Sequence, residues 1–156
     1  MKENQMMKQE ISARWMGEMQ FESLVNGHKI MLDSPVQFGG KDAGPTPKPL
    51  LLAALAGCTG MDVIAILRGS NRIPESFSLK VTGETAPAPP FEYASIHLVY
   101  NFAGEENCKG IVLDAVNISE ERFCGIGKML KKFLPITWEI IYNGKQIFSN
   151  SADSIP

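Results

Sequence analysis

The stretch that most constrains the fold is the apolar segment from Pro47 to Leu67, which carries Cys58 near its middle. Pro49 suits the first turn of a helix, where its missing N–H costs nothing, and Gly69 suits the left-handed position after the last turn. Apolar side chains cover every azimuth of this helix of about 20 residues, a pattern typical of a helix buried on all sides. The sequence therefore predicts a long central helix.

A membrane span is the main alternative for an apolar segment of this length. Asp62 near its centre, two flanking glycines and the lack of a second such segment favour a soluble protein without a membrane partner. A helix about 30 Å long is difficult for one domain of this size to cover alone. We therefore expect a second copy of the chain to cover part of it in a homodimer.

Composition places the chain among soluble globular proteins. Its 156 residues fit a single domain spanning residues 1–156, and 44% of them are hydrophobic, which is enough for a sizeable core. The formal net charge is −2 and no Lys/Arg-rich block occurs, so no nucleic-acid partner is expected. The first residues contain no apolar run before a small-residue cleavage site, so we expect a cytoplasmic protein.

The residues before the helix predict a β-hairpin and a stiff loop. Short apolar pieces alternate on both sides of Asn26-Gly27, a dipeptide that favours a type I′ turn, and predict strands near residues 11–24 and 28–33. His28 is therefore expected to lie exposed on a strand. Residues 34–49 contain three glycines and four prolines, so they form no regular element and either belong to a site or only connect the hairpin to the helix.

The residues after the helix predict two strands, two helices and a closing strand. Alternating apolar residues predict strands around residues 77–81 and 96–102, with His97 on the polar face of the second. Helical spacing resumes over residues 107–133, with a break expected near Gly125. This order predicts an α+β domain with antiparallel sheets around a buried central helix.

Two charged pairs in the second half are expected to be solvated. Adjacent residues of a helix point in different directions, so Glu120-Glu121 predicts an exposed face rather than a pair of catalytic carboxylates. Lys131 and Lys132 are expected in a solvated last turn, where they oppose the helix dipole. Neither pair is therefore a candidate for the site.

The candidate chemistry rests on the cysteines by elimination. The sequence has no GxSxG, Walker or GxGxxG motif and no CxxC or HExxH spacing, so neither a cofactor nor a metal is expected. A zinc site would need ligands gathered from across the fold. His28 and His97 both fall on predicted strands and are expected to be structural.

Two of the three cysteines have surroundings that suit a reactive thiol. Small residues beside Cys58 leave room for a substrate or a packed neighbour, although a lone buried cysteine is by default a small hydrophobe. Cys124 lies at the predicted helix break, where free backbone N–H groups would lower the pKa of its thiol. Brought together, the two would form a pair in which one thiol attacks and the other resolves. Cys108 lies at a helix start and is expected to be structural.

Two segments of the chain resemble one protein superfamily. The run GPTPKPLLLAALAGCTGMDVIAIL and the later run SEERFCGIGKMLKK, with the closing strand ITWEII, resemble the osmotically induced protein C (OsmC) and organic hydroperoxide resistance (Ohr) proteins. The small OsmC-like branch is the most similar, and the resemblance covers nearly the whole chain. It implies an OsmC-like fold of two intertwined subunits, in which strands wrap a central helix and the active sites lie at the dimer interface.

The resemblance also implies thiol-dependent reduction of hydroperoxides in oxidative or osmotic stress. Cys58 would be the peroxidatic thiolate, and Cys124 would resolve it as an intramolecular disulfide that an external dithiol reduces. This chemistry requires no metal or haem. The alternative is a non-catalytic OsmC-like protein whose dimer interface binds a small hydrophobic ligand.

The chain departs from the family pattern at two charged positions. Family peroxidases carry a glutamate in the loop that enters the central helix, and it aligns here with Lys48 or Pro49. They also hold the thiolate with an arginine from the N-terminal strands, where this chain has Gln20 and, as the only arginine of that region, Arg14. Lys48 is the candidate for a replacement cation.

Overall fold

A computed structural model describes residues 7–151 of the chain. The chain divides into two compact units, one ending at Leu50 and the other beginning at Leu51. The α+β class predicted from the sequence is confirmed, since the described residues form two sheets and a long helix. The organisation of residues 1–156 as a single domain stays a prediction.

The first unit contains a three-stranded antiparallel sheet of β1 (Ser12–Gly17), β2 (Gln20–Val25) and β3 (His28–Leu32). The turn between β2 and β3 lies at Asn26-Gly27 as predicted, with both residues at positive φ, and His28 begins β3 with its side chain exposed. The single strand predicted over residues 11–24 is wrong. A second tight turn divides it, because Gly17 and Glu18 also adopt positive φ values of 107° and 48°.

The loop after β3 is organised around the buried carboxylate of Asp33. Its oxygens accept hydrogen bonds from the backbone N–H groups of Ser34, Lys41 and Ala43, at 2.8–3.0 Å. These donors, led by Ala43, lower the pKa of Asp33 to about 2 although burial opposes them. The backbone passes so close to itself that a Cβ on Gly40 would lie 1.8 Å from the carbonyl oxygen of Ser34. The prediction that residues 34–49 form no regular element is wrong at two places, because Val36–Phe38 form a short 3₁₀ helix and the last three residues already belong to the long helix that follows.

The predicted long helix is confirmed as α1 (Pro47–Gly69). Gly69 is its last residue and not the predicted left-handed cap, since the positive φ after the helix, 55°, belongs to Asn71. Its length and composition would also suit a membrane span, a property that core helices of soluble proteins share. Residues 7–151 of one chain do not bury this helix on all sides. The fully buried positions recur every four residues along one stripe, while Leu51 and Met61 are exposed. The buried positions are Leu55, Thr59, Val63 and Leu67.

The second unit contains a four-stranded sheet with β4 (Ser76–Thr85), β5 (Tyr93–Ala103), β6 (Ile136–Tyr142) and β7 (Lys145–Ser149) in that order. The pairs at both edges are antiparallel as predicted. The central pair departs from the prediction, because β5 and β6 run parallel. The helical segment between them returns the chain to the same end of the sheet, which is the connection that parallel strands require.

That connection consists of α2 (Lys109–Ile118), one π-helical turn (Ser119–Phe123) and α3 (Gly125–Leu130). The predicted break is confirmed and falls at Cys124, whose ψ of 98° is extended. The apolar faces of β5 and β6 pack with the buried stripe of α1 and with α2 in one core. His97 lies on the opposite, half-exposed face of β5, where its Nδ1 lies 2.8 Å from Thr137 Oγ1.

Candidate active site

The second unit brings Cys58 and Cys124 together, although 65 residues separate them in the sequence. Cys58 lies in the middle of α1 and is half-buried, with Gly57 and Gly60 beside it. Its Sγ, the Sγ of Cys124 and one carboxylate oxygen of Asp62 all lie within 4.8 Å of one another. A disulfide bond is about 2.05 Å long, so the two sulfurs would have to approach each other by less than about 3 Å to form one. The catalytic role of the two residues stays a prediction.

Cys124 is the N-cap residue of α3 and is only 2% exposed. Its Sγ accepts a hydrogen bond of 3.3 Å from the backbone N–H of Gly127. A Cβ added at Gly127 would lie 3.3 Å from the same sulfur, so a larger residue there would crowd it. The predicted lowering of the thiol pKa is wrong. The N–H of Gly127 lowers the pKa, but burial of the thiol raises it by more, and Cys58 and Glu120 raise it further. The pKa of Cys124 therefore rises to about 12.

Asp62 is the residue of this cluster that sequence reasoning did not select. It lies one helical turn after Cys58, so the two side chains share a face of α1. Its Oδ2 is buried and has no hydrogen-bond partner among residues 7–151. A cleft of about 290 Å³ lined by Asp62, Ala65, Ile66 and Phe123 opens beside it. The spacing Cys-x-x-x-Asp within a helix was the available signal.

A buried polar network adjoins the thiol pair. Tyr100 Oη donates a hydrogen bond to Glu120 Oε1, and Thr59 Oγ1, next to Cys58 in the chain, lies 2.6 Å from the same hydroxyl. Ser119 Oγ lies 3.0 Å from Thr59 Oγ1. The pKa of Tyr100 is raised by burial and by the Glu120 carboxylate. The hydroxyl therefore stays protonated at neutral pH and can donate to the carboxylate.

Glu120 and Lys131 form an ion pair inside this network, so the prediction that both are solvated is wrong. The Glu120 side chain is fully buried, and Lys131 Nζ lies 2.8 Å from its Oε2. The ammonium also donates to the Glu120 carbonyl oxygen at 2.7 Å and lies 4.6 Å from the centre of the Trp138 ring. The neighbours Glu121 and Lys132 are exposed as predicted. The π-helical turn changes the direction of the side chains here, which a regular 3.6-residue repeat does not anticipate.

The positions that depart from the family pattern have other partners or lie at the surface. Gln20 donates to Asp33 Oδ2 at 3.3 Å, and Arg14 pairs with Glu22 at 3.1 Å on an exposed strand. Lys48 is exposed in the first turn of α1. Its role as a replacement cation stays a prediction.

Cys108 lies outside the thiol pair. It is buried at the start of α2, where its Sγ donates to Asn107 Oδ1 at 3.2 Å. This environment agrees with the structural role predicted for it.

An open apolar cleft of about 520 Å³ runs along the exposed side of α1. Residues of α1 and Phe77 line it. Four of the α1 residues are glycine or alanine, and their small size keeps the cleft open. The α1 residues are Ala56, Gly57, Gly60, Met61, Ile64, Ala65 and Arg68.

Comparison with known proteins matches this fold to one family. Residues 39–139 match the family described as OsmC-like protein. The protein YhfA of Escherichia coli K12 is 30% identical over 112 residues, which cover 72% of this chain and 81% of YhfA. An OsmC-like protein from Mycoplasma pneumoniae has a TM-score of 0.74 at 19% identity, over 87% of this chain and 97% of its own.

A second solved structure carries a functional name. The organic hydroperoxide resistance protein OsmC from Legionella pneumophila has a TM-score of 0.62 at 14% identity, over 88% of this chain and 99% of its own. At that identity the similarity concerns the fold. The family match and the relationship to YhfA concern the sequence itself, and the chain belongs to the OsmC-like protein family.

Proposed function

We propose that the protein reduces organic or other hydroperoxides with Cys58 and Cys124, in defence against oxidative or osmotic stress. The observation that carries this proposal is the proximity of the two sulfurs within 4.8 Å. The OsmC-like family and a structural neighbour named for organic hydroperoxide resistance support the substrate class. The proposal includes a cytoplasmic location, because a reducing compartment supplies the dithiol that the cycle needs.

A difference in burial between the two thiols supports separate roles for them in this proposal. Cys58 is half-buried and therefore accessible to a substrate. Cys124 is buried, and its raised pKa keeps it a thiol at neutral pH, so it is a poor first nucleophile. Cys58 is accordingly the attacking residue and Cys124 the resolving one.

The cycle then has three steps. The Cys58 thiolate attacks the distal oxygen of ROOH, the S–O bond forms as the O–O bond breaks, and the alkoxide takes a proton and leaves as ROH. The sulfur of Cys124 attacks the sulfenic acid, an S–S bond forms, and the hydroxyl leaves with the thiol proton as water. An external dithiol reduces the disulfide by two thiol–disulfide exchanges and becomes a disulfide itself.

Single cysteine variants test this assignment. Stopped-flow kinetics with cumene hydroperoxide and dithiothreitol should show turnover in the wild type and in Cys108→Ser, and none in Cys58→Ser. Without dithiothreitol, Cys124→Ser should react once with peroxide and accumulate a sulfenic acid that dimedone labels, detected by intact mass. Unchanged turnover in Cys58→Ser would refute the proposal.

We also propose that two chains form the dimer that the family layout implies. The large apolar side chains that one chain leaves exposed, among them Leu51 and Met61 on α1, support this assembly.

A second candidate function is the binding of a small hydrophobic ligand. The apolar cleft along α1 favours it, because its lining contains few polar groups that would direct a reaction. Native mass spectrometry should then reveal a co-purified ligand, and the thiols should react with peroxide no faster than free cysteine. Rapid oxidation of Cys58 in a protein without ligand would exclude this candidate.

A further inference from the structure

The proposed hydroperoxide cycle assigns no role to Asp62, although its carboxylate lies beside the two thiols. Its Oδ2 is buried without a partner among the described residues. A buried carboxylate oxygen that has lost water and gained no donor is destabilising unless a cation or a donor completes its environment. Within the described part of the second unit, the Glu120 carboxylate does have its cation, Lys131. Asp62 has an unpartnered oxygen, Oδ2, and one of its carboxylate oxygens lies within 4.8 Å of both sulfurs.

The three donor groups have the arrangement of a metal site. Cys58 and Asp62 are four residues apart on α1, the spacing that places two ligands on one ion when both come from a helix. Cys124 supplies the third donor from the start of α3. The three donor atoms lie within 4.8 Å of one another. Ligands of a tetrahedral zinc ion are roughly 3.5–3.8 Å apart, given bonds of about 2.3 Å to sulfur and 2.0–2.2 Å to oxygen.

The chemistry of the donors selects the kind of ion. Two thiolates are soft ligands that favour Zn²⁺ over Mg²⁺ or Ca²⁺, which prefer oxygen alone. One carboxylate adds a further negative charge, and three protein ligands leave a fourth position for water. We propose that the reduced protein binds one Zn²⁺ per chain through Cys58, Asp62 and Cys124.

This site goes beyond hydroperoxide reduction and does not depend on it. Metal binding uses both sulfurs as thiolates and releases their protons, without any change in oxidation state. Bound zinc would occupy the lone pairs with which the sulfurs attack peroxide. The same three residues would therefore hold the thiols in a protected form until a chelator or a competing ligand removed the ion.

The test is a zinc titration of the full-length reduced protein under anaerobic conditions, in competition with a chromophoric chelator. The wild type should bind one Zn²⁺ per chain. Asp62→Asn keeps the shape of the side chain but replaces the carboxylate with a poor ligand, and should weaken binding at least about tenfold. Asp114→Asn makes the same change at an exposed position of α2 and Cys108→Ser removes the cysteine outside the pair, so both should bind as the wild type does.

Co²⁺ provides a second readout that does not depend on affinity. Two thiolate ligands in tetrahedral geometry should give thiolate-to-cobalt charge-transfer absorption together with intense visible bands. Cys58→Ser or Cys124→Ser should each remove about half of the charge-transfer intensity. Circular dichroism checks that each variant is folded. The proposal is overturned if the folded wild type binds less than one Zn²⁺ per chain, or if Asp62→Asn binds as tightly as the wild type.

Discussion

At the scale of single residues, Glu120 is a buried charge close to the thiol pair. Its carboxylate is fully buried and is tolerated because Lys131, Tyr100 and Thr59 all direct donors at it. A buried ion pair adds little stability compared with an apolar pair, but the loss of one partner is costly because the other charge stays buried. The network therefore constrains the segment that carries Cys124.

Replacement of Lys131 with methionine tests this ion pair. Lys131→Met keeps most of the length of the side chain and removes the charge, so it should lower the free energy of unfolding by about 3 kcal/mol in urea denaturation. Lys132→Met makes the same change on an exposed neighbour and should stay within about 0.5 kcal/mol of the wild type. Equal effects of the two substitutions would contradict the role assigned to Lys131.

At the scale of elements, the loop after β3 shows how a chain without regular structure becomes ordered. Glycine at positions 40 and 44 permits backbone contacts that a side chain would block, and Asp33 gathers the N–H groups that have no strand or helix partner. The carboxylate thus replaces the hydrogen bonds of a regular element. The loop leads directly into α1.

Acid titration tests the contribution of Asp33 to this loop. The pKa of Asp33 is about 2 in the folded chain, against an ordinary value of 3.8. The ionised carboxylate therefore stabilises the fold at pH values above 3.8, and this stabilisation is lost as the pH falls through about 2. Asp33→Asn should therefore be less stable than the wild type near neutral pH, and the difference should shrink below about pH 4. The measurement is the urea midpoint across this pH range. A difference that stays constant with pH would show that the charge of Asp33 is not responsible.

At the scale of the whole molecule, the exposed apolar side of α1 supports the proposed dimer. A helix that is apolar on every face gains from burial on every face, yet the described residues of one chain fully bury only one stripe of it. Met61 is 75% exposed on this helix, an unusual position for a large apolar residue beside other apolar groups. A second copy would cover such a surface.

Sedimentation analysis tests the dimer. The wild type should sediment at twice the 17.1 kDa mass of one chain. Met61→Glu places a charge on the exposed apolar side of α1 and should shift the protein toward the monomer. Lys80→Glu introduces the same carboxylate on the exposed side of β4 and should leave the assembly unchanged. A monomeric wild type at micromolar concentration would exclude the proposed dimer.

The long helix, the Asn26-Gly27 turn and the helix break near Cys124 could be predicted because their signals are local. Proline, glycine and the period of apolar residues act within a few positions of the chain. The parallel pairing of β5 and β6 has no such local signal, because it depends on how the helices between them cross the sheet. The turn at Gly17 and Glu18 was missed because its only signal was a single glycine within an apparently continuous strand.

For the candidate site, the sequence by itself determined which chemistry is available: two cysteines in segments typical of one family, one on a helix and one at a helix break. The tertiary structure alone decided their environment. Burial depends on residues far apart in sequence, so it raised the pKa of Cys124 against the effect of the helix start, enclosed Glu120 with Lys131, and placed Asp62 beside both sulfurs. The long helix that dominates the sequence is therefore also the element on which two of the three donors of the site are aligned.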